Sequence, residues 1–188
     1  EEAQLAHERS RGVRAIVQHR EGAAARKHQH AEPAPQHLAW LENIQGPSLR
    51  ARSAYVHPAA TVIGRVVMGA HVHVAAGSSV RADEGSPFFI GANTNIQDGA
   101  ILHALKNQRV AVGPEEWAIY VGKNVSIAHD AIVHGPCYIG DDTFIGFKAV
   151  VHDSVVGAGC FIGIGAVVVG VELPPGRHVP HGRIVDTA

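Results

Sequence analysis

The chain contains 188 residues, 46% of them hydrophobic, which is enough for one well-buried domain with an appendage. Its formal net charge is −1 with histidine neutral, so no overall field attracts nucleic acid or an anionic membrane. No apolar run approaches the ~20 residues that a bilayer-spanning helix needs. The composition therefore predicts no nucleic-acid partner and no transmembrane segment.

Residues 1–50 differ from the rest of the chain in being rich in Ala, Arg, Glu and His. Their apolar residues form a loose helical stripe: Leu5, Val13, Ile16 and Val17. We predict a helical arm to about residue 30, followed by an extended linker that begins near Pro33. The chain then divides into an N-terminal arm at 1–50 and a second domain at 51–188. The missing initiator Met indicates a processed or trimmed chain.

From Ala60 onward a bulky apolar residue recurs at every sixth position, apart from longer intervals after Val80 and Leu102 and one shorter step to Val156. The series is Val62, Met68, Val74, Val80, Ile90, Ile96, Leu102, Val121, Ile127, Val133, Ile139, Ile145, Val151, Val156, Ile162 and Val168. A small or β-branched residue stands two positions earlier in most cases, and glycine often follows. This pattern predicts an all-β fold, a parallel β-helix of hexapeptide repeats whose turns stack ~4.8 Å apart. An antiparallel sandwich would instead place turn signals roughly every 8–12 residues.

Two segments interrupt the repeat. Residues 82–87, "ADEGSP", extend one step after Val80, and residues 103–119 form a longer excursion between Leu102 and Val121. A β-helix is rigid, so the loops that leave it are where binding and catalytic residues usually lie. We therefore expect functional residues in or beside these two segments.

The two cysteines, Cys137 and Cys160, lie within apolar repeats and have no metal-ligand spacing. We predict that both are small buried hydrophobic residues and that they form no disulfide. This agrees with a protein of a reducing compartment.

Two histidines follow equivalent positions of the repeat. Leu102 and Val133 occupy the same face of adjacent turns, and His103 and His134 come directly after them. Both histidines should therefore point outward, one above the other, with bases ~4.8 Å apart. Two imidazoles at this separation can bind one metal ion at Zn–N distances of ~2.0–2.1 Å.

A third histidine, His129, follows Ile127 on the preceding face, around a corner from His134. It cannot easily reach the same ion within one chain. It can do so from a neighbouring chain if three coils pack about a three-fold axis. The remaining repeat histidines are interpreted as surface residues: His71, His73, His152, His178 and His181.

Four segments together resemble the γ-class carbonic anhydrases, over about residues 53–185. They are "RADEG" at 81–85, "NTNIQDGAILHAL" at 93–105, "VSIAHDAIVHGP" at 125–136 and "DDTFIGFKAVV" at 141–151. The resemblance implies a left-handed β-helix, although parallel crossovers are usually right-handed. It also implies a homotrimer with its metal sites between subunits. The metal would be zinc, or ferrous iron or cobalt as in some members, held by His103, His129 and His134.

The resemblance implies a lyase that converts CO2 and water reversibly to bicarbonate and a proton by means of a metal-bound hydroxide. Glu84 matches the acidic residue that accepts the proton or binds bicarbonate. Gln97 matches the residue that orients the hydroxide, and Asn95 matches a neighbouring polar residue of the pocket. These three residues are the catalytic candidates.

The supporting residues also follow from the resemblance. Arg81 and Asp83 match a pair that links subunits and shapes the site, and Asp98 matches a structural residue behind the ligands. Lys106 stands where the archaeal enzyme has a glutamate that shuttles protons. Lysine is a poor shuttle near pH 7. Glu115 or Glu116 in the same excursion could replace it.

Two other functions compete with an active carbonic anhydrase. One is a low-activity or inactive structural subunit of a larger assembly, a carboxysome or mitochondrial complex I, with residues 1–50 as the docking segment. The other is a hexapeptide-repeat acyltransferase. Such enzymes typically use a single catalytic histidine, and they need neither Gln97 nor the stacked pair of His103 and His134.

Overall fold

Short parallel strands wind about a common axis in the computed structural model, which describes residues 48–187. Sheet A contains β1 (Leu49–Arg50), β4 (Val66–Met68), β7 (Phe88–Ile90), β12 (Ile119–Val121), β15 (Cys137–Ile139), β18 (Val155–Val156) and β21 (Glu172–Leu173). Sheet B contains β2 (Tyr55–Val56), β5 (His73–Val74), β8 (Asn95–Ile96), β13 (Ser126–Ile127), β16 (Phe144–Ile145), β19 (Phe161–Ile162) and β22 (His178–Val179). Sheet C contains β3 (Thr61–Gly64), β6 (Ser79–Ala82), β9 (Ile101–Ala104), β14 (Ile132–Gly135), β17 (Val150–His152), β20 (Val167–Val169) and β23 (Ile184–Val185). The predicted all-β parallel β-helix is confirmed.

The predicted helix, to about residue 30, lies outside the described residues, and of the N-terminal segment 1–50 only residues 48–50 are described. Of these, Leu49 and Arg50 form β1, which pairs with β4 in sheet A. Between residues 48 and 187 there is no helix long and apolar enough to cross a membrane.

The residues of the six-residue series form the core. From Met68 to Val168, every member of the series is at most 2% exposed. The smaller residues two positions earlier are buried as well, and their hydroxyls are satisfied by the backbone. Thr94 Oγ1 donates to the carbonyl of Gly122 at 2.8 Å, and Thr143 Oγ1 donates to that of Gly157 at 3.1 Å. Alternating large and small inward residues therefore fill the coil, and the inward threonine hydroxyls are paired with backbone carbonyls.

Left-handed backbone conformations mark the corners of the coil. Asn93, Asn124 and Asp142 have φ of 59°, 56° and 59° at one corner of three successive turns. Short polar side chains tolerate this conformation better than other non-glycine residues. They also form a ladder, because Asn93 Nδ2 donates to Asn124 Oδ1 at 3.1 Å and Asn124 Nδ2 donates to Asp142 Oδ1 at 2.8 Å.

The longer excursion carries structure that the repeat did not predict. It forms an antiparallel hairpin of β10 (Val110–Val112) and β11 (Glu115–Trp117). Trp117 is 7% exposed and packs on Phe89, with ring centroids 5.3 Å apart. The hairpin is therefore held against the outer side of sheet A by an aromatic contact.

Both cysteines are free and buried, as the sequence predicts. Burial raises the pKa of the Cys137 thiol to about 12, and burial also raises the pKa of Cys160. Neither thiol is ionised at neutral pH, so neither is a reactive nucleophile.

Gly135, at the end of β14, allows adjacent turns to approach closely. A Cβ there would overlap the carbonyl oxygen of Ala118 and lie 2.7 Å from Ala104 Cβ. We expect Gly135→Ala to lower the free energy of unfolding by about 1–3 kcal/mol, the usual cost of overpacking. Urea denaturation followed by circular dichroism measures this.

The control for Gly135→Ala is Gly159→Ala. Gly159 has a φ of 67°, and a Cβ there meets nothing within 4 Å. This control should therefore show only the backbone cost of about 1–2 kcal/mol. A Gly135→Ala protein as stable as the wild type would show that the turns do not need this close approach.

Candidate metal centre

His103 and His134 lie side by side on the outer face of sheet C. They are partners in the parallel register of β9 and β14, as are Leu102 and Val133 beneath them. Their ring centroids are 5.2 Å apart, and His103 Nδ1 lies 3.3 Å from His134 Nε2. The repeat thus brings together two imidazoles separated by the whole hairpin excursion.

The surroundings of His134 keep its ring neutral. His134 Nδ1 donates to the carbonyl of Gly135 at 3.1 Å, so its lone pair is on Nε2, the atom that faces His103. Burial, followed by the proximity of His103, lowers the pKa of His134 below its usual value of 6.5. A neutral imidazole with an available Nε2 is the form that binds metal ions.

Two carboxylates approach His103 from the other side. Asp83 Oδ1 and Glu84 Oε1 each lie 3.8 Å from His103 Nε2. The Asp83 side chain is 1% exposed, and its Oδ2 accepts from Arg81 Nη2 at 2.8 Å and Nε at 3.1 Å. Glu84 is 42% exposed, so it reaches solvent.

The donor set fits a metal ion. His103 Nε2 is buried and has no hydrogen-bond partner among residues 48–187. This buried nitrogen lies beside two carboxylates, and the other ring nitrogen, Nδ1, lies 3.3 Å from His134 Nε2, so the two rings present nitrogen atoms close enough to share one cation. Imidazole nitrogen is a preferred ligand of Zn²⁺, Fe²⁺ and Co²⁺.

His129 lies elsewhere in the same chain. It is on the turn between β13 and β14, with its side chain 51% exposed. Its Nδ1 is 3.2 Å from Asp98 Oδ2, and its ring stacks on Phe147 with centroids 5.4 Å apart. Within the part of the chain that the structure describes, no three His, Cys, Asp or Glu side chains converge on one metal position. A single copy therefore presents two histidines at one place and the third at another.

The remaining site candidates lie on sheet B and on the excursion. Asn95 Oδ1 accepts from His73 Nδ1 at 3.0 Å, and Gln97 is half-buried just after β8. Within residues 48–187 neither side chain is hydrogen-bonded to His103 or His134. The candidates for proton shuttling on the excursion are all exposed: Lys106, Glu115 and Glu116. Both glutamates belong to the hairpin strand β11.

His152, which the sequence predicts to be a surface residue, is a neighbour of the site. It is the register partner of His134 on β17, it is half-buried, and its ring centroid is 5.0 Å from that of His134. The signal was present in the repeat, because His152 follows Val151 as His103 follows Leu102. His152 therefore extends the histidine column by one turn.

Comparisons with known proteins find relatives among hexapeptide-repeat proteins. A family model described as bacterial transferase hexapeptide (six repeats) matches residues 118–153. The chain is 50% identical over 157 residues to the carboxysome assembly protein CcmM of Nostoc sp., covering 82% of this chain and 27% of that protein. It is 45% identical over 145 residues to the carbonic anhydrase of Methanosarcina thermophila, covering 72% of this chain and 59% of that protein.

Fold comparison gives the same architecture. A hexapeptide transferase family protein from Anaplasma phagocytophilum has a TM-score of 0.55 at 25% identity, covering 73% of this chain and 72% of that one. The chain spans only 27% of the length of the Nostoc CcmM protein and 59% of that of the M. thermophila carbonic anhydrase. The similarity nevertheless extends over most of the coil that carries His103, His129 and His134. The chain belongs to the hexapeptide-repeat family, and its relatives there include a carbonic anhydrase and carboxysome assembly proteins.

Proposed function

We propose that this protein is a γ-class carbonic anhydrase, which hydrates CO2 reversibly to bicarbonate and a proton. The observation that supports this best is the pair of imidazoles at His103 and His134, with the buried His103 Nε2 lacking a hydrogen-bond partner among residues 48–187. The 45% identity to the carbonic anhydrase of M. thermophila supports the same reaction.

His103 and His134 of one copy, with His129 of a neighbouring copy, hold the metal ion in this proposal. Three neutral imidazoles are a known donor set of catalytic zinc, and ferrous iron or cobalt can use the same ligands. The ion supplies Lewis-acid activation of water near neutral pH. A homotrimer provides three such sites, each formed by two neighbouring copies.

Glu84 is the proton acceptor in the proposal. Its Oε1 lies 3.8 Å from His103 Nε2, and its side chain is 42% exposed. A carboxylate in this position takes the proton that hydration releases and passes it to solvent. Gln97 and Asn95 orient water and bicarbonate from the neighbouring copy, because both lie on the sheet B side that carries His129.

Arg81 and Asp83 support the first histidine. The buried Asp83 carboxylate is neutralised on one oxygen by Arg81, and its other oxygen is directed to the His103 ring. A carboxylate that faces one ring nitrogen of a ligand histidine fixes the orientation of the ring and favours metal binding through the other nitrogen. Asp98 has the corresponding role for His129, since it is 3.2 Å from Nδ1.

A second candidate function is a structural subunit of a larger assembly. The 50% identity to a carboxysome assembly protein favours it, because that match covers 82% of this chain. In this alternative the metal site is retained for trimer stability, activity is low, and residues 1–50 dock to the assembly. An acyltransferase is supported only by the shared fold and by the name of the repeat family.

Metal content and CO2 hydration measured on the same purified protein test the proposal. We expect about one bound metal ion per chain, as for a three-histidine catalytic site. We also expect stopped-flow hydration that a chelator abolishes and that added Zn²⁺ or Co²⁺ restores. Full metal content without hydration would support the structural subunit instead. Hydration unaffected by complete metal removal would refute the proposed site.

A further inference from the structure

His129 is restrained on two sides by residues of its own chain. Its Nδ1 lies 3.2 Å from Asp98 Oδ2, and its ring lies on Phe147 with centroids 5.4 Å apart and an angle of 21° between the planes. The side chains of His129 and Asp98 are 51% and 59% exposed, and Phe147 is 40% exposed. A histidine used only as a surface residue needs neither contact.

Asp98, His129 and Phe147 form a column because they occupy the same corner of three successive turns. The backbone N–H of Asp130 donates to the carbonyl of Asp98 at 3.0 Å, and that of Lys148 donates to the carbonyl of His129 at 3.0 Å. Each bond links one turn of the coil to the next. The side chains are therefore stacked at the inter-strand spacing of ~4.8 Å, which is suitable for one ring to lie flat on another.

The carboxylate contact decides which nitrogen can bind a metal ion. Asp98 Oδ2 lies 3.2 Å from His129 Nδ1, and a carboxylate in this position favours the tautomer with the proton on Nδ1 and the lone pair on Nε2. The flat contact with Phe147 restricts rotation of the ring about its side-chain torsions. An exposed ligand that is already oriented loses less rotamer freedom when it binds.

We propose that Phe147 is a positioning residue, which together with Asp98 holds His129 with Nε2 presented to the metal site of a neighbouring copy. The inference rests on the proposed function, because it assumes that His129 is a ligand. It predicts that metal affinity depends on a flat ring at position 147. Apolar bulk at this exposed corner is not sufficient.

Phe147→Leu tests this, because leucine keeps an apolar side chain and removes the flat ring. We expect the Co²⁺ affinity of the metal-free protein to fall about tenfold, the lower limit for loss of a residue that orients a ligand. We expect Phe147→Tyr to bind Co²⁺ within about twofold of the wild type, since tyrosine retains the ring. Competition with a chromophoric chelator gives the affinities, and light scattering gives the oligomeric state.

Ile164→Ala is the matched control. Ile164 is 44% exposed and lies one turn beyond Phe147 on the same corner, where Gly165 N donates to the carbonyl of Phe147. It should bind Co²⁺ as the wild type does. An unchanged Co²⁺ affinity in Phe147→Leu would overturn the inference. So would a loss of Co²⁺ affinity in Phe147→Tyr or Ile164→Ala as large as that in Phe147→Leu. So would loss of the oligomer in Phe147→Leu, because Phe147 would then be an interface residue.

Failure of the inference differs from failure of the proposed function. If the wild-type protein binds no Co²⁺, both are overturned. If the wild type binds Co²⁺ and Phe147→Leu binds it equally well, only the role of Phe147 is overturned.

Discussion

Replacement of His134 by alanine should remove the bound metal ion and lower the rate of CO2 hydration on the order of a thousandfold or more. One chain supplies two neighbouring imidazoles, and the variant would leave only His103 on that side of the site. A single histidine from each of two copies does not complete the donor set of a catalytic zinc site. Mass-spectrometric metal analysis and stopped-flow hydration, made on the same sample, measure both effects.

The fold should survive this substitution. His134 points outward from sheet C and is only half-buried, whereas the inward Val133 carries the packing. Circular dichroism should therefore match that of the wild type. His178→Ala is the control, because His178 is an exposed histidine at the far end of sheet B. Wild-type metal content in His134→Ala, in the folded state, would exclude His134 as a ligand.

Mixed oligomers of His129→Ala and His134→Ala chains should recover activity that neither variant has alone. A site between copies needs His129 from one chain and His103 with His134 from the next. In a trimer with one or two chains of each kind, one of the three sites is intact. Random mixing in equal amounts then restores about one quarter of wild-type activity. Unfolding and refolding of the mixture, followed by a hydration assay, measures the recovery.

A mixture of His103→Ala and His134→Ala chains is the matched control. Both residues come from the same side of the site, so no pairing of these chains restores a complete ligand set. Recovery in this control, or no recovery in well-mixed trimers of the first pair, would contradict a site shared between copies. The two mixtures therefore separate a shared site from general rescue of folding.

Much of the fold could be predicted from the sequence, because a six-residue period determines which side chains enter a β-helix. Met68, Ile96 and Val151 are all buried as the period requires. The stacking of His103 on His134 followed from the same rule, since each residue comes directly after an inward member of the series. This reasoning depends only on the pleat of the strand and on the coil returning to register.

The contacts that complete the candidate site are harder to predict from the sequence than the buried positions of the coil. Phe147 follows Ile145 by two positions as His129 follows Ile127, so the period places both at one corner, but it does not show that their rings stack. His152 is predicted from the sequence to be a surface residue, although its position in the repeat matches that of His134. The hairpin of β10 and β11 is not part of the repeat at all.

The sequence by itself determined the inward and outward faces, the turns of the coil and the two histidines that meet. Only the tertiary structure decided that His129 contacts Asp98 and Phe147, and that Asp83 and Glu84 converge on His103. The physical reason is the distance along the chain over which each property is determined. Alternation along a strand is a local property, whereas side-chain contacts between turns also depend on how loops of unequal length close and which rotamers fit there.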